Sequence, residues 1–191
     1  MVASVAAIGG LGFAGWSTYY GARVASDQLI QSEKVNQETQ RKQASMVNFW
    51  YDQATGQVSV ANRSLDPAYG TDIAIQFSLG SYESPIWWSQ VNTIPPCTVV
   101  QIKASDIISA ANKKSGTKTK PDHFATQYLA FADSNGGNWI RTGGETGSGL
   151  HFVDPWSEFP FPDGYTLPAG DDFWLNIPHK RIPMEGGCAA S

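Results

Sequence analysis

Three histidines, two cysteines and a group of carboxylates are the residues whose chemistry could serve catalysis or metal binding. His123, His151 and His179 each stand alone in their segments, and neither an H-E-x-x-H pattern nor a paired C-x-x-C occurs. Nothing local therefore assembles a zinc site. No serine occupies G-x-S-x-G and no Walker A loop is present, so acyl and phosphoryl transfer have no signature here. Asp154, Glu158, Asp163, Asp171 and Asp172 include enough carboxylates for a glycosidase pair. Spacing along the chain does not give the separation in space that such chemistry needs, and solvated loop acids are the expectation. Catalytic, metal and cofactor residues are all expected to be absent.

Gly10 to Gly15, GLGFAG, matches the dinucleotide fingerprint G-x-G-x-x-G. That fingerprint requires a strand before it and a crossover helix with a second parallel strand after it. Only Trp16 to Tyr20 separates Gly15 from Gly21, whereas a crossover takes at least ~10–12 residues. The match carries no nucleotide site.

The aromatic residues offer binding chemistry instead. Trp87, Trp88, Trp156, Phe159 and Tyr165 are the candidate platform for a glycan or a protein partner, since Trp and Tyr are frequent interface anchors. Trp87 and Trp88 lead the set because adjacent strand residues face opposite sides and cannot both enter one core layer. Packing in a core is the competing reading for every one of these rings.

The elements that must position these groups begin with an uncharged run. No charged side chain occurs from Val2 to Tyr20. As a helix this run is roughly 28 Å long, close to the ~30 Å of a bilayer's hydrocarbon core. Residues 1–20 are accordingly expected to be a single-pass transmembrane anchor, with Trp16, Tyr19 and Tyr20 at the headgroup level. A cleaved signal peptide fits less well, because no Lys or Arg precedes the apolar run. Ala6, Gly10, Ala14 and Thr18 fall four apart and form a small-residue ridge, the expected face for pairing two anchor helices into a homodimer.

Residues 21–45 contain no Pro, no Gly after Gly21 and many good helix formers, and are expected to be a polar helical stalk. Val24, Leu29, Ile30 and Val35 keep no heptad, which argues against a long coiled coil. From Met46 the apolar period changes to two. Val47–Tyr51 and Gln57–Ala61 flank a Gly-containing loop as a hairpin, and Ile73, Ile75, Phe77 and Leu79 alternate with Ala74, Gln76 and Ser78. Cys97–Ile102 reads as a strand and Asp106–Asn112 as a short helix capped by Ser105 or Asp106. Asn112–Asp122, with four lysines, reads as a solvated loop, and Gly143–Gly149 as a mobile one. Gln127–Thr142 is the clearest hairpin, turning on Asn135-Gly136-Gly137. The final forty residues are rich in Pro and aromatics, with Asp172–Ile177 their one expected strand. Residues 46–191 are thus expected to form one antiparallel β-sandwich-like domain.

The net charge of −4 lacks the basic footprint of nucleic-acid binding. Cys97 and Cys188 allow either a disulfide or two free thiols. Arg23 and Lys34 follow the anchor and no Lys or Arg precedes it, a bias of one or two charges toward a cytoplasmic domain. Asn62-Arg63-Ser64 fits a glycosylation sequon.

The order of parts, with Val60–Ser64 and the hairpin Phe131–Thr142, resembles uncharacterised membrane-anchored proteins of actinobacteria. Their hairpin reads F-x-D-x-x-G-x-x-W-x-R, and the likeness covers about two-thirds of the chain. That group carries no assigned activity. Within the hairpin, Phe131 and Trp139 are expected to pack, Asp133 and the glycines to make the turn, and Arg141 to pair with Asp133. The function expected is a membrane-anchored, non-catalytic interaction module. A cell-surface glycan-binding module is the second reading and an uncharacterised hydrolase the third.

Overall fold

The computed structural model describes residues 2–79, 82–83, 86–116, 118, 123–143, 149–153, 174–184 and 188. For 2–17, 78–79, 82–83 and 123 the backbone alone is described. The chain divides into two compact units, Met1–Arg41 and Lys42–Ser191.

The first unit is helix. α1 (Val2–Ser45) runs unbroken through 44 residues, about 66 Å at 1.5 Å per residue, and its last turn enters the second unit. The expected boundary between anchor and stalk near Tyr20 leaves no break in the backbone. Every residue from Thr18 to Thr39 is exposed, and Val24, Leu29, Ile30 and Val35 gather on no single face. From residue 18 onward, where side chains are described, no helix is long and apolar enough to cross a membrane.

The second unit is built from two sheets around a shared core. β1 (Val47–Asp52), β2 (Gln57–Asn62), β6 (Thr98–Lys103) and β11 (Lys180–Pro183) form an all-antiparallel sheet in the order β1-β2-β6-β11. The other sheet is ordered β10-β5-β3-β7-β8-β9, from β10 (Trp174–Leu175), β5 (Trp87–Ile94), β3 (Ala68–Leu79), β7 (His123–Ala132), β8 (Asn138–Thr142) and β9 (Leu150–Phe152). The short β4 (Tyr82–Glu83) pairs with β3. β10 runs parallel to β5, the one departure from antiparallel pairing among the described residues. α2 (Ala104–Ser115) carries the chain from the first sheet to the second.

Period-two alternation decides which side chains meet between the sheets. Val58, Val60, Val100 and Ile102 face Ile73, Ile75, Leu129, Phe131 and Trp139, and Ile107 and Ala111 of α2 join them. A second apolar cluster lies on the outer face of the larger sheet, where Ala74, Trp88, Tyr128, Ala130 and Ile140 pack with Ile86 and Val153.

Several expectations change in detail. α2 extends to Ser115, with Gly116 at φ 71° closing it, so Lys113 and Lys114 occupy its last turn rather than a loop. Cations at a helix C-terminus are favoured by the unpaired carbonyls there. Neither Ser105 nor Asp106 caps α2; the cap position is Lys103, without a side-chain hydrogen bond. Of the late strand expected over Asp172–Ile177, Trp174–Leu175 is strand, residues 176–177 are not and residues 172–173 lie outside the described residues, while β11 forms where proline composition argued against a central strand. β11 is an edge strand with Pro183 at its end, a position where a missing N–H costs no ladder bond. Residues 144–148, most of the glycine-rich loop, lie outside the described residues.

Cys97 and Cys188 form a disulfide across 91 residues of sequence. The Met184 N–H donates to Cys97 O at 2.8 Å, so the bond and the β6–β11 ladder fasten the same C-terminal segment. Asn62 is fully buried: its Nδ2 donates to Asp66 O, Ile94 O and Pro95 O, and its Oδ1 accepts from Ser64 N and Oγ. The sequon is therefore a structural tie between β2 and the end of β5, with no room for a glycan.

Candidate binding site

An open hollow of about 500 Å³ lies where β5, β10, the end of α2 and the segment after β10 converge. Gln90, Asn92, Lys114, Trp174, Leu175, Asn176 and His179 line it. Each reaches it for a local reason.

Gln90 and Asn92 are two apart on β5 and share its outward face. Opposite them, Asp72 pairs with Gln90 and Thr71 with Asn92, so Val91 is an extra residue and β5 is bulged. Bulges bend the strand and re-aim its side chains. Asn92 takes φ 63°, a left-handed conformation that Asn tolerates better than most residues. Across the strand pair, Trp174 stands beside Trp88, their ring centroids 5.9 Å apart, and so brings an indole over the same face. Leu175 alternates inward and is buried in the shared core, which anchors the short strand. Lys114 Nζ donates to Trp174 O at 2.7 Å, tying the last turn of α2 to β10. His179 Nδ1 lies 3.4 Å from Ile177 O.

Among the described residues the lining holds one fixed cation and no carboxylate. Gln90, Asn92 and Asn176 make no side-chain hydrogen bond among the described residues, so their donors and acceptors face the hollow or water. Among the described residues one carboxyl borders this face: Asp72, the partner of Gln90, whose pKa burial pushes up to about 7.

The residues singled out from sequence are placed differently. Trp87 and Trp88 do face opposite sides of β5, but they are 5% and 3% exposed. Trp87 enters the shared core and Trp88 the outer cluster, because the larger sheet carries apolar layers on both faces. Neither presents an open ring, which corrects their assignment to a platform. Trp156, Phe159 and Tyr165 lie outside the described residues, as do Asp154, Glu158, Asp163, Asp171 and Asp172. Of the small-residue ridge, Ala6, Gly10 and Ala14 have no described side chain, and Thr18 is exposed. Of the two histidines whose side chains are described, His179 reaches the hollow and His151 sits exposed on β9. Among the described residues no cluster of three His, Cys, Asp or Glu is placed to hold a metal ion.

Gln90 and Asn92 were not singled out from the sequence, although the alternation of their strand places both on one face. Lys114, Trp174, Asn176 and His179 come from two later segments, and no local pattern links them to β5. In comparisons with known proteins, no family model, no curated protein and no solved structure matches the chain.

Proposed function

We propose that this chain is a membrane-tethered interaction module whose β-domain faces the oxidising, outer side of the membrane. The observation that carries the reading is the continuity of α1. One unbroken helix leads from the uncharged run at Val2–Tyr20 into the first turn of the β-domain. The uncharged part matches the hydrocarbon core in length. The remainder, exposed from Thr18 to Thr39 and polar on all sides after Val35, suits a spacer.

The Cys97–Cys188 disulfide supports the outer side. Cytosolic glutathione and thioredoxin keep thiols reduced, whereas bonds of this kind persist in exported proteins. The opposing bias, Arg23 and Lys34 after the anchor, amounts to one or two charges, and an exported domain can translocate despite so few.

Cell fractionation tests the tether. The full chain is expected in the membrane pellet after an alkaline carbonate wash, and L11K/A14K is expected to shift it to the supernatant. A lysine at the centre of a span costs about 2.5–3.5 kcal/mol on insertion scales. Recovery of the unmodified chain in the supernatant would overturn the reading.

A further inference from the structure

We infer that the hollow between β5, β10 and α2 is a saccharide-binding site. The inference deepens the interaction-module reading and rests on it only for the place where the ligand is met.

A sugar presents hydroxyls that donate and accept at once, over a ring whose C–H faces are apolar. A site for it needs side chains that also donate and accept, arranged beside an aromatic surface. Amides meet the first need, since each offers an acceptor oxygen and two donor hydrogens. Gln90, Asn92 and Asn176 bring three amides to one hollow, and none is engaged with another described side chain. Trp174 supplies the aromatic surface, held by Trp88 behind it and by Lys114 at its carbonyl. Its indole is half-buried and lines the hollow, unlike Trp87 and Trp88.

The volume of about 500 Å³ lies in the range of small-molecule sites. The hollow is open, which suits a chain that continues beyond it. Among the described residues the lining contains no carboxylate, and Lys114 adds a positive charge. Both neutral and uronate-containing oligosaccharides are therefore compatible with the charge of the described lining.

The backbone is fixed independently of any ligand. The bulge at Val91 and the left-handed Asn92 hold two amides in place, and β10 is fastened by its pairing with β5. Such preorganisation keeps the ordering cost of binding low.

The test is isothermal titration of the full chain in detergent with three trimers: β-1,4-linked N-acetylglucosamine, β-1,4-linked glucose and galacturonate. At least one is expected to bind. The double variant N92G/N176A keeps a residue suited to positive φ at position 92 and removes two amides. It is expected to weaken binding about tenfold or more, the effect of losing one to two hydrogen bonds, with an unchanged melting temperature. W174F, which keeps an aromatic ring against Trp88, is expected to weaken binding less than N92G/N176A. Failure of all three trimers to bind at millimolar concentration, or binding untouched by N92G/N176A, overturns the inference. Because the assay is done in detergent, neither result depends on the tether or on the side of the membrane.

Discussion

Asp133 Oδ2 accepts a hydrogen bond from Trp139 Nε1 at 2.8 Å, while Oδ1 of the same carboxylate accepts from the backbone N–H groups of Asn135 and Gly137. One buried carboxylate thus closes the β7–β8 turn and fixes the core indole that follows it. The turn has no slack: a Cβ on Gly137 would come within 2.8 Å of Asp133 Oδ2, and Gly136 sits at φ 82°. Arg141, expected from sequence to be the partner of Asp133, instead donates to Ser45 O, the last residue of α1. Strand alternation explains the exchange. Phe131 pairs with Trp139 across the ladder, which brings the indole beside the turn and carries Arg141 two residues away from it.

Asp133→Ala is expected to destabilise the β-domain by about 2–4 kcal/mol, because it orphans three N–H groups, one of them deep in the core. Trp139→Phe, which removes a single donor, is expected to cost about 1–2 kcal/mol. Urea unfolding of the two variants gives the comparison. Equal midpoints for Asp133→Ala and the parent chain would refute the role assigned to the carboxylate.

The hairpin shows what was legible and what was not. Its strands and turn could be read because alternation and the Asn-Gly-Gly signal are local, as could the change of period at Met46 and the alternation of Ile73, Ile75 and Phe77. Partners across the fold were not legible. The assignment of β6 to one sheet and β5 to the other, the parallel strand β10 and the second apolar layer around Trp88 all depend on pairings between segments far apart in sequence. The hollow was hidden for the same reason, since its residues come from β5, α2 and the chain after Trp174.

Asp72 makes stability depend on pH. An unfolded aspartate ionises near 3.9, while burial holds folded Asp72 at about 7. The folded chain therefore keeps a proton that the unfolded chain releases between these values. On account of this group, stability falls as pH rises from about 4 to about 7 and is level above that. Asp72→Asn is expected to be more stable than the parent by about 1–2 kcal/mol at pH 8, a figure reduced for the part of the carboxyl that meets solvent, and equal to it at pH 4. A constant difference across this range would remove burial of the charge as its cause.

Ser89 is 1% exposed, and its Oγ has no hydrogen-bond partner among the described residues. Ser89→Ala removes a polar atom whose desolvation is uncompensated, and it leaves a void smaller than a methyl group. The variant is expected to match or exceed the parent in unfolding midpoint. A loss above about 1 kcal/mol would mean that the hydroxyl is bonded in solution.

The 91-residue separation of Cys97 and Cys188 sets a large loop-closure effect. C97A/C188A is expected to lose roughly 4–5 kcal/mol in the chain-entropy account. Denaturant unfolding of this variant beside the oxidised parent measures it, and coincident curves would contradict the expectation.

The central claim, a disulfide-closed domain held outside a membrane by α1, is tested most directly by protease treatment of cells carrying the full chain with a C-terminal tag. The account predicts that the tag is lost from intact cells while the N-terminal fragment stays in the membrane pellet. A tag that survives in intact cells and is digested only after permeabilisation would contradict it and place the domain in the cytoplasm.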